Sequence, residues 1–482
     1  MASDFTAAGR TPARLSPGMI LARQDRITVW ALPTAFLIVL GIGFIFTFYD
    51  IFDINVSFIQ TCIQIVPKCT PEVASRSIGL PTLLNLMGYV VGALSLTAVA
   101  DRFGRRNTML LTLAVTGIGA LYSALSGDIV NFNISRFVTG IGIGADLAVV
   151  NTYVGEMAPS TGRARYTALI FINSSLGAFL GIWLGLLLTT QSTPFPLGLP
   201  FALAGSSFTF GWRLMYFIAM ALCILGILLR LLLPESSRWL VSTGQLEKAD
   251  ATVRAMEARA ARKQTLPEVT AEVSVHQEKQ MGYAEIFSNP LYVRRMVLLL
   301  LVWLFAYVTV YTIGAGFTSV LTSLGYPPPE AGLIAAVGVF GFIASAIVAS
   351  VFGERLERKY WLPIGAVITL IGGILIALSG QALVGAFIGS LIVFFGFNIW
   401  VPMTYAWSAE NFPTRARVTG FGLVDGVGHV GGGIGLVSIA PILPLIGVLP
   451  SFLLIAGFLV VAAIIAQFGV NTRGKQLEDV SP

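Results

Sequence analysis

The chain has 482 residues, of which 55% are hydrophobic and 11% are charged, and its formal net charge is +6. A water-soluble domain cannot cover so much apolar surface, so the composition indicates an integral membrane protein. Apolar stretches of about 20 residues recur along the chain, which favours an all-α membrane protein over a β-barrel. The basic residues cluster between these stretches, as in membrane proteins, and do not indicate nucleic-acid binding.

About twelve membrane-spanning helices are predicted. Placing both termini in the cytoplasm puts most of the 30 Lys and Arg residues on the cytoplasmic side, so we expect a multi-pass plasma-membrane protein in this orientation. The expected spans lie near 32–60, 78–100, 107–126, 131–157, 166–190, 212–233, 295–322, 331–352, 361–379, 382–408, 418–447 and 450–470.

The spans divide into two groups of six around a polar linker. The predicted regions are a cytoplasmic N-tail (1–26), an N-terminal six-helix half (27–233), a cytoplasmic linker with surface helices (234–292), a C-terminal six-helix half (293–470) and a cytoplasmic C-tail (471–482). Within the linker, Leu246 to Lys263 has the strong helix formers and mixed charge of a surface helix.

Asp50 and Asp53 interrupt a long apolar run in the first span. Their spacing of three residues places both carboxylates on one face of a helix. Because a carboxylate in hydrocarbon is costly, an intramembrane pair indicates a functional site; the alternative is a position at the membrane surface. Arg136 lies inside the fourth span, where its guanidinium needs a partner or water.

Charged motifs recur in the two halves. Residues 101–106 follow the second span, and residues 354–359 follow the eighth span 253 residues later. Glu156 with Arg163 follows the fourth span, and Glu410 with Arg417 follows the tenth span 254 residues later. This repeat predicts two pseudo-symmetric halves, with a solute site at their interface near the midplane.

With these motifs, the chain from about residue 24 to the C-tail resembles the major facilitator superfamily, and within it the sugar-porter-like, proton-coupled metabolite symporters. The resemblance is carried by segments 101–106, 136–144, 156–163, 234–240, 410–417 and 472–478. Span seven lacks the glutamine pair of the sugar porters, and the acidic pair in span one, with Asp146, looks more like the branch that moves organic anions.

In such a fold spans one and four pack together, so the resemblance makes Asp50 the partner of Arg136. We expect Asp50, Asp53 and Arg136 to form the proton-coupling site, with Asp53 contacting solute or sharing the proton. A static salt bridge that fixes helix register is the alternative. Asp146 lies ten residues after Arg136, about 15 Å along the helix, either in the central cavity or at water on the inner side.

Aromatic residues recur every four positions in span seven, which puts Trp303, Tyr307 and Tyr311 on one broad face. Such a wall suits a ring-containing or carboxylated solute; helix packing is the alternative. Asp425 and His429 in span eleven form a second proton site or the wall of a hydrated cavity. The candidate solute-binding residues are Asp146, Asn173, Trp303, Tyr307, Tyr311, Asn398, Trp400, Asp425 and His429.

The charged residues at the cytoplasmic helix ends are assigned to gating, because their charges can pair across helices when the inner side is closed. They are Asp101, Arg102, Arg105, Arg106, Glu156, Arg163, Glu354, Arg355, Arg358, Glu410 and Arg417. Gly140, Gly142 and Gly144 are interpreted as sites of close helix packing. Cys62 and Cys69 either form a bridge outside the membrane or remain two free thiols.

The predicted function is secondary active transport: proton-coupled symport, by alternating access, of a small organic solute, either an organic or aromatic acid or a sugar-like metabolite. The alternatives are a facilitative sugar uniporter and a non-transporting nutrient sensor. No nucleotide-binding loop, catalytic constellation or metal-ligand set is present, so we expect no enzyme activity, metal or cofactor. The expected partners are solute, protons and lipid, without nucleic acid, and we expect a monomer.

Overall fold

The computed structural model describes residues 16–159, 163–269, 283–380, 382–413 and 416–473. Twelve helical segments are long and apolar enough to cross a membrane, which confirms the predicted all-α architecture. The first part of the chain forms α1 (Pro17–Asp25), α2 (Ala35–Ile65), α3 (Pro71–Ser77), α4 (Gly79–Phe103), α5 (Arg105–Leu125), α6 (Ile129–Met157), α7 (Arg163–Thr189) and α8 (Gly211–Arg230).

The linker and the second part of the chain are also built from helices. The linker contains α9 (Ser237–Ser242), α10 (Leu246–Ala260) and α11 (Tyr283–Ser288), so the predicted surface helix is confirmed and ends three residues early. The second part forms α12 (Pro290–Gly314), α13 (Phe317–Ser323), α14 (Pro328–Phe352), α15 (Trp361–Ser379), α16 (Leu383–Ile399), α17 (Val401–Glu410), α18 (Arg417–Ile439), α19 (Leu443–Ile446) and α20 (Val448–Gln467).

Two groups of helices pack internally and then against each other. In the first half α2 lies along α7, and α6 lies between α4 and α5; in the second half α16 lies between α14 and α15, and α12 lies along α18 and α20. The halves meet where α4 packs on α18 and α7 packs on α14. Solute sites in two-lobed membrane transporters lie at such interfaces.

The glycines of α6 allow its backbone to approach its neighbours closely. A Cβ at Gly140 would lie 1.9 Å from the carbonyl oxygen of Asn85 on α4, and one at Gly142 would lie 2.2 Å from Oγ1 of Thr116 on α5. These contacts leave no room for a side chain, so the predicted packing role is confirmed.

Span seven is interrupted, which corrects the single helix predicted over 295–322. α12 ends at Gly314 and α13 begins at Phe317. Asn55 of α2 donates hydrogen bonds to the carbonyls of Ile313 (3.1 Å) and Gly314 (2.6 Å), and its amide oxygen accepts from the backbone N–H (3.2 Å) and hydroxyl (2.6 Å) of Thr318. One amide from the first half thus satisfies three of the backbone groups at the break.

Span ten is also interrupted, between α16 and α17, where the sequence analysis predicted one helix over 382–408. The break falls at Trp400, two residues before Pro402, whose ring cannot be accommodated in an uninterrupted helix.

The two ends of the bundle are recognisable by different features. At one end α1 docks on α10, where Arg23 pairs with Asp250 (2.6 Å) and Glu257 (2.5 Å). Partial burial opposes ionisation of Glu257, but hydrogen bonds from Arg23 and Arg26 outweigh it and lower the pKa of that carboxyl group. At the other end a disulfide joins Cys62 and Cys69, so these thiols are not free. We call these ends the terminal side and the disulfide side.

Candidate functional site

Asp50 and Arg136 form an ion pair between α2 and α6. Each residue is only 1% exposed. Nη1 of Arg136 donates to Oδ1 of Asp50 at 2.9 Å, and Nη2 donates to the backbone carbonyl of Asp50 at 2.8 Å. The structure therefore brings together, deep inside the first half, the two residues that the sequence analysis paired.

A second carboxyl group shares the same guanidinium. Oδ1 of Asp53 lies 3.8 Å from Nη1 of Arg136, and neither carboxyl oxygen of Asp53 has a hydrogen-bond partner in the described part of the chain. Asn85 of α4, which the sequence analysis did not select, donates to Oδ2 of Asp50 at 3.3 Å and to the carbonyl of Arg136 at 3.1 Å. One guanidinium thus faces two buried carboxyl groups.

Asp146 belongs to a separate ion pair with Arg230 of α8. Nη2 of Arg230 donates to Oδ2 of Asp146 at 2.9 Å, Nη1 also contacts its Oδ1, and the Thr112 hydroxyl donates to that oxygen at 2.7 Å. A Cβ at Gly43 of α2 would lie 2.0 Å from Nη2 of Arg230, so glycine is required beside the pair.

Arg230 lies within the predicted sixth span, 212–233, but the sequence analysis did not select it, and the structure buries it completely. It follows a long apolar stretch and precedes three leucines, and that apolar continuation was the available signal. Among the described residues, the hydrogen-bond and ion-pair partners of Asp146 lie in the first half.

The predicted aromatic wall of α12 is part of a tyrosine cluster at the interface of the halves. We define the cluster as Tyr89 (α4), Tyr307 and Tyr311 (α12), Tyr405 (α17), and Asp425 and His429 (α18). Tyr307 donates to Oδ1 of Asp425 at 2.6 Å, and Tyr89 donates to Oδ2 at 3.2 Å. The hydroxyls of Tyr307 and Tyr405 lie 3.1 Å apart. Because Tyr89 comes from the first half, the cluster links both halves.

The imidazole of His429 lies among the tyrosine rings. It stacks on Tyr89 with a centroid separation of 4.0 Å and an interplanar angle of 18°, and it lies tilted against Tyr307, also at 4.0 Å. Its Nδ1 is 2.7 Å from the carbonyl oxygen of Asp425 and 3.6 Å from Oδ1. The i, i+4 spacing noted in the sequence thus places the two side chains beside each other.

Glycines of α18 bring this helix close enough to α12 for these contacts. A Cβ at Gly428 would lie 2.5 Å from Cβ of Trp303, and one at Gly432 would lie 2.3 Å from Cδ2 of Tyr311. Trp303 stacks on Tyr307 at 4.9 Å and donates from Nε1 to the Ser408 hydroxyl at 2.9 Å. Tyr89 and Tyr405 were missed, because a tyrosine within an apolar span resembles an ordinary packing residue.

The remaining solute-binding candidates lie outside the hydrogen-bond network of the cluster. Nδ2 of Asn398 donates to the Ser345 hydroxyl at 2.9 Å, within the second half. Nδ2 of Asn173 donates to carbonyls of its own helix. The Trp400 ring lies 5.6 Å from the Trp303 ring, and its indole N–H has no hydrogen-bond partner among the described residues.

Several gating candidates form ion pairs on the terminal side within each half. Arg105 of α5 pairs with Glu156 of α6 at 2.9 Å. Arg358 pairs with Glu354 at 2.9 Å and with Glu410 at 3.4 Å.

Other charged groups on this side are arranged differently. Arg106 donates to a backbone carbonyl, Arg102 is exposed, and the Arg355 guanidinium lies over the Phe352 ring. The side chains of Asp101, Arg163 and Arg417 lie outside the described residues.

Glu235, in the predicted 234–240 motif, supports the start of α5. Its carboxylate accepts hydrogen bonds from the backbone N–H groups of Arg105 (2.9 Å) and Arg106 (3.2 Å). Burial raises the pKa of this carboxyl group above its ordinary value, and the backbone donors oppose that shift. Glu235 therefore helps to order the same helix end as the Arg105–Glu156 pair.

The chain is similar to known membrane transporters over most of its length. Residues 34–482 match the sugar (and other) transporter family. The putative metabolite transport protein YyaJ of Bacillus subtilis is 27% identical, with 94% of this chain and 96% of YyaJ covered. The niacin transporter NiaP of Acinetobacter baylyi is 26% identical, with 96% and 99% covered.

A solved structure shares the fold. The proton:xylose symporter XylE bound to 6-bromo-6-deoxy-D-glucose superposes with a TM-score of 0.70 at 19% identity, covering 96% of this chain and 98% of XylE. The family match, the relatives and the two-lobed helical fold agree: the chain belongs to the sugar (and other) transporter family of the major facilitator superfamily and is a multi-pass membrane transporter, not an enzyme.

Proposed function

We propose that the chain is a proton-coupled symporter that moves a small organic solute by alternating access. In this proposal it lies in the plasma membrane with the terminal side in the cytoplasm, the orientation favoured by the distribution of basic residues. The solute classes suggested by the sequence are an organic or aromatic acid and a sugar-like metabolite.

The observation that carries the proposal is the single guanidinium that faces two buried carboxyl groups. Arg136 balances one carboxylate, and an additional buried charge without a partner is costly. The charges balance when Asp50 or Asp53 holds a proton, so the group has a natural place for one transported proton. The carboxyl oxygens of Asp53 lack hydrogen-bond partners among the described residues, so one of them can hold the proton.

The tyrosine cluster is the proposed solute site. It lies where the two halves meet, and it combines aromatic faces with a few convergent polar groups, as small-molecule sites do. Asp425 is held by tyrosines from both halves, so a solute that replaces one of these contacts changes what holds the halves together. This provides a physical link between solute binding and the change of access.

The proposal is tested in proteoliposomes with an imposed inward proton gradient. The probes are radiolabelled D-xylose, nicotinate and 1-methylnicotinamide. Wild-type protein is expected to accumulate one of them, and Asp50→Asn is expected to abolish accumulation while retaining exchange of the same probe. Asp25→Asn, which removes a carboxylate from a partly exposed ion pair on the terminal side, is the control and is expected to behave as wild type.

The alternative functions give different results in the same assay. A facilitative uniporter equilibrates the probe without accumulating it, and a sensor binds it without moving it. Accumulation by Asp50→Asn at the wild-type level would contradict the assignment of Asp50, and a wild-type protein that accumulates none of the probes would contradict the symport proposal.

A further inference from the structure

We infer that the tyrosine cluster binds a flat organic cation, such as a nitrogen ring that carries a positive charge. This solute class differs from the organic acid and the sugar-like metabolite that the sequence suggests, and it rests on the proposed function of the cluster as the solute site. It follows from the charge of the cluster, from the groups that are committed elsewhere and from the ring geometry.

The cluster offers a carboxylate without a basic arginine or lysine partner. Asp425 accepts hydrogen bonds from Tyr89 and Tyr307 and lies 3.6 Å from His429; within the described residues no Arg or Lys pairs with it. The two hydroxyl donors favour the ionised form of Asp425, and a bound cation would supply the counter-charge that a buried carboxylate requires. An anionic solute would therefore meet a like charge, whereas a cation would meet its counter-ion.

The guanidinium groups that could receive an anion are already used. Arg136 is bound to Asp50, and Arg230 is bound to Asp146, both within the first half. Moving either one to a solute would leave a buried carboxylate without its partner, which is strongly destabilising.

Three amide groups of the kind that a polyhydroxylated solute would require are also committed. Asn85 is bonded to Asp50, Asn173 to carbonyls of its own helix, and Asn398 to Ser345. The cluster itself presents phenol hydroxyls, one imidazole and one carboxylate. This set recognises a charged ring better than a ring of hydroxyl groups.

The ring geometry fits a flat aromatic cation. Tyrosine faces attract cations through their quadrupole, and aromatic cages of this type hold ammonium groups. The His429 imidazole lies against Tyr89 and Tyr307 with centroid separations of 4.0 Å and fills a place between two tyrosine faces that has the shape of a flat nitrogen ring. A solute ring would take this place when His429 moves aside.

The test compares probes that share one ring and differ in charge. Binding of 1-methylnicotinamide (cation), nicotinamide (neutral) and nicotinate (anion) is measured on the purified full-length protein, with D-xylose as the hydroxyl-rich probe. We expect 1-methylnicotinamide to bind about tenfold more tightly than nicotinamide, and nicotinate and D-xylose to bind more weakly still.

Variants identify the groups responsible. Asp425→Asn is expected to remove the preference for the cation, whereas Asp25→Asn is expected to preserve it. Tyr89→Phe keeps the ring face and is expected to retain the preference, whereas Tyr89→Leu is expected to lose most of it. If Asp425→Asn does not fold, the two Tyr89 variants and the order of the wild-type affinities for the four probes still decide the test.

The inference is overturned if nicotinate or D-xylose binds as tightly as 1-methylnicotinamide, if Asp425→Asn folds and retains the preference, or if no probe binds at millimolar concentration. Binding is measured without a proton gradient, so its outcome is independent of proton coupling. Cation selectivity without proton-driven accumulation would reject the symport proposal and leave this inference standing. Proton-driven accumulation of nicotinate or D-xylose, with no binding of the cation, would support the symport proposal and reject this inference.

Discussion

The two halves of the transporter handle buried polarity in different ways. The first half has two arginines that are at most 1% exposed, each against a carboxylate: Arg136 with Asp50, and Arg230 with Asp146. Where it meets the first half, the second half has an aspartate and a histidine among tyrosines, with no arginine or lysine paired to them in the described part of the chain. In the first half each of these arginines has a carboxylate partner, whereas the second half presents the Asp425 carboxylate at the interface between the halves.

This difference fits the proposed roles, proton coupling in the first half and solute binding at the tyrosine cluster. The group of Asp50, Asp53 and Arg136 is neutral when one carboxyl group holds a proton and carries one negative charge when that proton leaves, which suits proton coupling. An aromatic cluster with one carboxylate presents its polarity towards a solute. Polar contacts join the halves, among them Tyr89 with Asp425 and Asn55 with the break in span seven.

The largest effect is expected from breaking a compensated pair in the first half. Arg230→Met leaves Asp146 buried with the Thr112 hydroxyl as its remaining side-chain donor among the described residues and should lower the free energy of unfolding by about 3–5 kcal/mol. Thermal denaturation of the purified protein measures the loss. The double variant Arg230→Met/Asp146→Leu removes both charges and should recover most of the stability. A single variant as stable as wild type would show that the first half does not depend on charge balance at this pair.

A smaller effect is expected at the polar joint between the halves. Asn55→Ala removes hydrogen bonds to two carbonyls and to Thr318, so opening on the disulfide side should become easier by about 2–3 kcal/mol. Labelling of a Ser319→Cys reporter by a membrane-impermeant maleimide should accelerate at least about tenfold.

The matched control for this joint is Thr61→Val, on the same helix. The Thr61 hydroxyl bonds only to a carbonyl of its own helix, so its removal should leave the labelling rate unchanged. Equal labelling in Asn55→Ala and Thr61→Val would mean that Asn55 does not hold the halves together.

The smallest effect is expected from single hydroxyls in the second half. Tyr307→Phe removes the 2.6 Å hydrogen bond to Asp425 and should reduce the free energy of unfolding by about 1–2 kcal/mol. Tyr311→Phe, one turn further along, removes a hydroxyl that forms no hydrogen bond with a described residue, and should change stability by less than about 0.5 kcal/mol. If the two variants are equally stable, the Tyr307–Asp425 contact does not hold the cluster together.

Charged residues in apolar runs were the features most readily predicted from sequence. Asp50, Asp53 and Arg136 stand out because ionised groups are costly in hydrocarbon, and the resemblance to a known family supplied the partner helix. Arg230 was not selected, because a basic residue at the end of an apolar stretch is usually at the membrane surface. The burial of Arg230 depends on Asp146 and on the space beside Gly43, which are far away in the sequence.

The tyrosine cluster could be predicted from the sequence only in part. The spacing of Asp425 and His429, and that of Trp303, Tyr307 and Tyr311, was visible because helical periodicity is local. Tyr89 and Tyr405 join them from two other helices, and no local pattern distinguishes these tyrosines from packing residues. Their role depends on how closely the glycines of α18 allow the helices to approach.

The sequence by itself determined the twelve apolar helices, the two repeated halves and the placement of rare charges within them, because hydrophobic length and the cost of buried charge act locally along the chain. Only the tertiary structure decided which charges compensate each other and which remain available to a solute. Those partners lie on different helices, and their distances are set by packing between the helices.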